Sequence, residues 1–164
     1  MRRLFPPFIS GTAAGGLLVL RLIAGTAFIL HGLEKYKSEG GPFDWMPRGS
    51  GVPGIMQALA VASEIGGGAA WILGLLTPVA CLAILCTMTT AITTVHLPHN
   101  DPFVGPFGKP SYELALVYLG IALNLLVVGP GSISLDALLF GRPQPEIAGP
   151  AETTPTPPPE QLRS

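Results

Sequence analysis

The chain has 164 residues, of which 48% are hydrophobic and 12% are charged, and its mean hydropathy is +0.51. An ordinary soluble domain has roughly a quarter charged residues, so this composition excludes a typical soluble domain and favours an integral membrane protein. The formal net charge of -1 also excludes the strongly basic surface that binds nucleic acid.

Four apolar segments reach the length of about 20 residues that a membrane-spanning helix needs. The two loops that follow the first and third segments are long and rich in Gly and Pro, so both lie on one side of the membrane, which we call the loop side. The chain termini are expected on the opposite side. The pattern predicts an all-α integral membrane domain over 1–141, with spans at about 15–33, 53–76, 78–97 and 111–128.

Arg21 lies inside the first predicted span, in the stretch LRLIAGTAFILHGLEKY. A secretory signal is the competing interpretation, because Arg2 and Arg3 precede the apolar run. The interruption by Arg21 and the lack of a small-x-small cleavage pattern before His31 argue against a signal peptide. We therefore predict that this segment stays in the membrane.

Glu64 lies about 16 Å into the second predicted span, near the bilayer midplane. A carboxylate is costly there unless it is protonated or paired with a cation or with hydrogen-bond donors. The glycines at 66–68 would let another helix approach closely. Two interpretations stay open for Glu64: proton or ligand chemistry, and a structural hydrogen bond.

Three polar residues are expected at one depth on the loop side, since His31 ends the first span, His96 ends the third and Glu113 begins the fourth. A neutral histidine beside a carboxylate can bind a quinone oxygen or pass a proton. A polar cap without a ligand is the structural alternative. One histidine per helix lacks the spacing of metal ligands, so we predict no metal site. Together with Glu64, these residues form the predicted quinone or proton site.

The two cysteines, Cys81 and Cys86, point about 140° apart on a helix and cannot pair with each other. The sequence also contains no CxxCH, no cysteine cluster and no dinucleotide-binding loop. We therefore predict no intrinsic cofactor, and any electron carrier would belong to a partner.

The stretch GPGSISLD at 129–136 ends the fourth span, and Ser134 can cap a short interfacial helix over 134–140. Arg21 is about 9 Å from the N-terminal face of the bundle and Glu64 is roughly 18 Å from it, so we predict that Arg21 pairs with Asp136. Lipid headgroups and Glu64 are the alternative partners. The proline-rich residues 142–164 predict a disordered tail.

Three stretches resemble the DoxX family of small prokaryotic membrane proteins: LRLIAGTAFILHGLEK, SEIGGGAAWILGLLTPVA and GPGSISLD, in the family's order over residues 17–140. The resemblance implies a four-helix bundle in the inner membrane with both termini in the cytoplasm. It also implies a redox role, since members include a thiosulfate:quinone oxidoreductase subunit and components of oxidative-stress complexes. No catalytic residue carries over, and the family's motif positions correspond to Arg21, His31, Gly32, Lys35, Glu64, Gly129, Gly131 and Asp136.

This combination predicts an accessory subunit of a membrane redox or electron-transfer complex that contacts a quinone, the lipid bilayer and other membrane protein subunits. A purely structural subunit that packs by its Gly and Ala faces is the alternative from another class. A small-solute or proton pathway around Glu64 is the third interpretation. Lysines and arginines are nearly balanced between the two sides, so the cytoplasmic placement of the termini rests on the family resemblance.

Overall fold

The computed structural model describes residues 8–46 and 50–141, and all of the regular structure in these ranges is helical. A 3₁₀ turn at Gly41–Phe43 follows the first helix, and the third helix continues as one π-helical turn, Ile92–His96. The predicted tail at 142–164 lies outside the described residues. The α-helices are, in chain order, α1 (Thr12–Tyr36), α2 (Gly54–Leu73), α3 (Thr77–Ala91), α4 (Glu113–Val128) and α5 (Leu135–Phe140).

Three helices of the described chain are long and apolar enough to cross a membrane. They are α1 with 25 residues, α2 with 20 and the continuous stretch Thr77–His96 with 20. The fourth apolar helix, α4, has 16 residues, which corresponds to about 24 Å. The prediction of an all-α membrane chain is confirmed for the described residues.

Each long helix packs against the next one in the chain, α1 on α2, α2 on α3 and α3 on α4. The core lies where these helices meet, and its largest apolar side chains are Phe28, Trp71, Ile84 and Leu125. The ring of Phe28 meets Trp71 edge to face, with 5.4 Å between centroids. The outward faces carry many exposed Leu, Ile and Val side chains, which suit contact with lipid.

Glycines set the distance between α1 and α2. A Cβ atom added to Gly25 would lie 2.6 Å from the backbone oxygen of Gly68, and the reverse addition would meet the oxygen of Gly25 at 2.6 Å. Gly32 repeats the arrangement two turns later, where an added Cβ would lie 2.6 Å from Ile65. The two backbones therefore touch along this stripe, as small residues at membrane helix interfaces allow.

The guanidinium of Arg21 is buried and binds backbone carbonyls. It donates to the oxygens of Trp71 at 2.7 Å and Ile72 at 3.1 Å, in the last turn of α2. It also donates to Pro130 at 2.5 Å and Ile133 at 2.9 Å, in the turn after α4. The last carbonyls of a helix have no partner inside the helix, and a cation is favoured at that end of the helix dipole. Arg21 therefore ties α1 to the end of α2 and to the turn before α5.

Asp136 caps the start of α3 from a distant part of the chain. Its carboxylate accepts hydrogen bonds from the backbone N–H groups of Leu76 at 2.7 Å and Thr77 at 2.9 Å. Leu76 stands at the N-cap position and has no capping side chain of its own. Asp136 itself is placed by α5, which begins with the predicted Ser134 cap.

The predicted ion pair between Arg21 and Asp136 is not formed. Ion pairs within residues 8–46 and 50–141 join other residues, and both of these side chains are occupied by backbone groups. The reason is that the α2–α3 turn presents free carbonyls on one side and free N–H groups on the other. Each charge binds backbone groups of complementary polarity, so the two residues hold the same turn with no hydrogen bond or ion pair found between them in the described chain.

Candidate functional site

Three of the four predicted site residues, His31, His96 and Glu113, have different local surroundings in the described chain. His31 is exposed, and its ring lies 6.4 Å from that of Tyr118. His96 lies at the end of the π-helical turn, where its Nδ1 is 2.8 Å from a carboxylate oxygen of Asp101. Glu113 is exposed in the first turn of α4. None of the hydrogen bonds or ion pairs found in the described chain joins any two of the three.

Glu64 has a cationic partner on the neighbouring helix. Its side chain is 2% exposed, and its Oε1 lies 2.5 Å from the Nζ atom of Lys35. Gly32 brings the two backbones together one turn before Lys35. Helical side chains lean toward the N-terminus of their own helix, so on antiparallel helices Lys35 and Glu64 lean toward each other. The buried carboxylate is therefore paired, as its position in the span requires.

The loop between α1 and α2 folds over this ion pair. The ring of Trp45 lies 4.6 Å from Lys35 Nζ in a cation–π arrangement, and its indole N–H donates to the backbone oxygen of Gln57. The buried amide of Gln57 binds the loop twice, accepting from the N–H of Met46 and donating to the oxygen of Val52. Gln57 therefore fixes Trp45 above Lys35.

A cavity of about 540 Å³ lies between α2 and α3, beside the ion pair. Its volume falls within the range of roughly 300–1,000 Å³ of small-molecule sites. Lys35, Trp45 and Glu64 line it, together with mainly apolar side chains from the two helices. Met56 and Leu59 belong to this wall and are exposed. The cavity is thus mainly apolar, has a charged pair in its wall and reaches the surface of the molecule.

The second carboxylate oxygen of Glu64 is an unused acceptor. Oε2 is buried and has no hydrogen-bond partner among the described residues. The hydroxyls of Ser63 and Thr87 lie 2.5 Å apart across the helix interface, and their two protons are shared between this contact and the carbonyls of Ala60 and Ala83. A buried acceptor without a donor is costly, so the contact between Lys35 and Oε1 is the main compensation for burying this carboxylate.

Residues of the site that the sequence interpretation missed are Lys35, Trp45 and Gln57. The available signal was the buried stripe of α2, which runs through Gln57, Val61, Glu64 and Trp71 at spacings of three, four and seven residues. A glutamine on that stripe, seven residues before Glu64, indicates a polar contact on the same face.

The family model for DoxX matches residues 16–97, which is half of the chain. The match spans the two helices that carry Lys35 and Glu64 and the third that closes the cavity. The chain belongs to the DoxX family.

Relatives of this DoxX chain carry two kinds of name. It is 32% identical over 126 residues to "Putative oxidoreductase CatD" of Bacillus subtilis strain 168, with 76% of this chain and 87% of that protein covered. It is 33% identical over 124 residues to "Inner membrane protein YqjF" of Escherichia coli K12, with 76% and 92% covered. A third relative, "Inner membrane protein YphA" of Escherichia coli K12, is 31% identical over 123 residues, with 73% and 87% covered. No solved structure matches the DoxX chain with significance.

Proposed function

We propose that this DoxX protein is an inner-membrane accessory subunit of a redox complex and that it binds a quinone in the cavity between α2 and α3. The observation that carries the proposal is the ion pair between partly buried Lys35 and buried Glu64, two residues that line an apolar cavity. Ligand sites combine apolar walls with a few fixed polar groups in this way. The name of the Bacillus relative supports the redox role, and the names of the Escherichia relatives support the inner membrane.

A quinone suits both parts of the cavity. The apolar walls match its ring and the first part of its isoprenoid tail, and the ammonium of Lys35 offers hydrogen-bond donors to an oxygen on the ring. The exposed Met56 and Leu59 let a tail leave the cavity toward the lipid. We assign the electron carrier to a partner subunit, because this sequence contains no cofactor-binding motif.

Cys86 provides a direct test of the cavity, since it lines the cavity and is exposed, whereas Cys81 is buried in the core. Decyl-ubiquinone has a fully substituted ring that leaves no open position for thiol addition. We expect it to slow the modification of Cys86 by N-ethylmaleimide several-fold in the detergent-solubilised protein, because a bound ring blocks access to the thiol. The readout is the rate of mass increase of the intact protein.

The matched control moves the thiol to a lipid-facing position outside the cavity. Leu123→Cys on α4, combined with Cys86→Ser, presents an exposed thiol that does not line the cavity. Its modification rate stays the same with and without decyl-ubiquinone. An unchanged rate at Cys86 up to the solubility limit of the quinone would contradict the proposal.

We further propose that α4 crosses the membrane as a fourth span, completing a four-helix bundle with both termini in the cytoplasm and 142–164 as a disordered tail. Supporting this, α4 packs on α3 and its surface is apolar. The loops that follow α1 and α3 then face the periplasm.

The topology predicts opposite labelling of Lys37→Cys and Glu160→Cys, each in a chain with Cys81 and Cys86 replaced. A membrane-impermeant maleimide is expected to label position 37 in intact cells and position 160 only after lysis. Labelling of both positions from the same side would rule out the four-span arrangement.

A structural subunit without a ligand is the second candidate function. Gly66 and Gly120 point outward, and nothing lies within 4 Å of a Cβ atom added to either glycine. Such exposed glycines suit close packing against a helix of another subunit. In this case decyl-ubiquinone leaves the modification of Cys86 unchanged, while a partner subunit still copurifies from native membranes.

A further inference from the structure

Exposed apolar side chains lie close together in the loop between α3 and α4, residues 97–112, which we call the α3–α4 loop. We propose that this loop is a membrane anchor that inserts Phe103, Val104 and Phe107 into the lipid of the loop-side leaflet. The inference does not depend on the ligand of the cavity, and it rests on the proposed crossing of the membrane by α4.

Three large apolar side chains within five residues are left largely uncovered by the described part of the chain. Phe107 is 107% exposed, Val104 is 60% exposed and Phe103 is 49% exposed. Contact with water is unfavourable for such a group of side chains, and an apolar surface of this kind usually marks contact with a membrane or with another protein. The position of the loop decides between these two.

The α3–α4 loop has a defined fold that suits a site poor in water. Its prolines at 98, 102, 106 and 110 have no backbone N–H group, so the loop has fewer donors to satisfy than most loops of its length. Three other backbone N–H groups of the loop are bound within it or to the end of α3, namely Asp101 to His96, Lys109 to Pro106 and Tyr112 to Pro102.

Ring contacts show how α4 is placed along the bundle relative to α2. The rings of Trp71 and Tyr118 both pack on Phe28, with 5.4 Å and 4.6 Å between centroids. The start of α2 at Gly54 is about 25 Å from Trp71, whereas the start of α4 at Glu113 is about 8 Å from Tyr118. On the loop side, α4 therefore begins nearer to the middle of the bundle than α2 does, by roughly 10–20 Å.

The end of α3 lies as far out as the start of α2. The hydroxyls of Ser63 and Thr87 meet across the interface between the two helices. From this contact, the start of α2 at Gly54 and the end of the π-helical turn at His96 are each about 13 Å away, in the same direction. The α3–α4 loop therefore leaves α3 at the outer end of the bundle and returns toward the membrane to reach Glu113.

The returning part of the loop lies where lipid surrounds the bundle. The ring of Phe103 packs on that of Tyr112, which directly precedes α4, with 5.6 Å between centroids. Glu113 and Lys109 are exposed and charged, which suits the polar headgroup layer at this depth. Phenylalanine side chains at this layer insert into the boundary between headgroups and acyl chains. Lipid of the loop-side leaflet is therefore the surface that covers Phe103, Val104 and Phe107.

The test attaches a nitroxide spin label to Phe107→Cys, in a chain with Cys81 and Cys86 replaced, and places the protein in phosphatidylcholine nanodiscs. Molecular oxygen is concentrated among the acyl chains, whereas a chelated nickel complex stays in water. We expect the label to collide with oxygen several-fold more often than with the nickel complex. The readout is the power saturation of the electron paramagnetic resonance signal in the presence of each reagent.

His99→Cys is the matched control, because position 99 is exposed in the same loop but lies next to the end of α3. Its label is expected to collide more often with the nickel complex. Val104→Cys is a second probe of the anchor and is expected to behave like Phe107→Cys, which keeps the test decisive if one labelled variant fails to fold. A lipid environment at position 99 as well would contradict the return of the loop toward the membrane.

More frequent collisions with the nickel complex at position 107 would overturn the anchor and assign the apolar side chains to a soluble partner. Few collisions with either reagent would also overturn it, because another protein chain, such as a second copy, would then cover the label. A label in water at position 107, together with opposite labelling of positions 37 and 160, would overturn the anchor and leave the four-span topology intact.

Discussion

The Arg21→Ala variant is expected to lose about 10 °C or more of thermal stability in detergent, or to fail to accumulate as folded protein. Arg21 donates hydrogen bonds to four backbone carbonyls that belong to the end of α2 and to the turn before α5. Alanine removes these donors, and of the four carbonyls the oxygen of Trp71 still accepts the backbone N–H of Gly74. Each buried unsatisfied group costs about 1–3 kcal/mol, so their sum exceeds the effect of most single substitutions.

Arg21→Lys is the matched control, because it keeps the positive charge at the end of α2 but offers three donors in place of the planar guanidinium fork. Its melting temperature is expected between those of Arg21→Ala and the unmodified protein. A loss of less than about 2 °C in Arg21→Ala would show that the carbonyl contacts contribute little.

Asp136→Ala tests whether Arg21 and Asp136 act through the same turn. The variant frees the N–H groups of Leu76 and Thr77 and removes the cap of α3. Since both residues hold the α2–α3 turn, the loss in the double variant is expected to be smaller than the sum of the two single losses. Full additivity would mean that the two residues stabilise separate parts of the fold.

The presence of three long apolar helices could be predicted from sequence because hydrocarbon thickness fixes the number of apolar residues that a span needs. The partners of Arg21 could not be predicted from sequence, although the depth of Arg21 in the first span placed it on the same side of the membrane as Asp136. Two of the carbonyls that it binds, those of Trp71 and Ile72, become available because α2 ends at Leu73 and turns at Gly74, which has a φ of +61°. Where a helix ends decides which backbone groups are free, and sequence patterns locate helix ends poorly.

The pairing of Glu64 was missed for a related reason. The first span was expected to end at 33, which puts Lys35 in a loop, whereas α1 continues to Tyr36. On the longer helix, Lys35 extends the buried stripe of Arg21, Gly25, Phe28 and Gly32 by one turn. Because helical side chains lean toward the N-terminus of their own helix, Lys35 on the longer helix is expected to reach Glu64 on the antiparallel α2.

The same stripe explains the position of His31. Successive residues of an α-helix are rotated by about 100° about the helix axis. His31 therefore points well away from the face that carries its neighbour Gly32, and that face packs on α2. Depth in the membrane was predicted for His31, His96 and Glu113, but depth alone does not bring side chains together. The face of each helix decides that, and it depends on how the helices pack.

The second large effect is expected from a single methyl group at Gly68. In Gly68→Ala the added Cβ would lie 2.6 Å from the backbone oxygen of Gly25 and 3.0 Å from a side-chain atom of Ile29. A backbone oxygen cannot rotate away as a side chain can, so α1 and α2 must move apart. Overpacking of this kind costs typically about 1–3 kcal/mol, and separation of the helices also loosens the contact between Lys35 and Glu64.

Gly66→Ala makes the same chemical change two residues earlier in α2, where nothing lies within 4 Å of the added Cβ. Alanine is favoured over glycine in a helix by about 1 kcal/mol, so this variant is expected to melt at the same temperature as the unmodified protein or higher. Gly68→Ala carries the same gain in helix propensity, so a lower melting temperature isolates the cost of the helix contact. Equal melting temperatures for the two variants would show that α1 and α2 tolerate a wider spacing at the contact between Gly25 and Gly68.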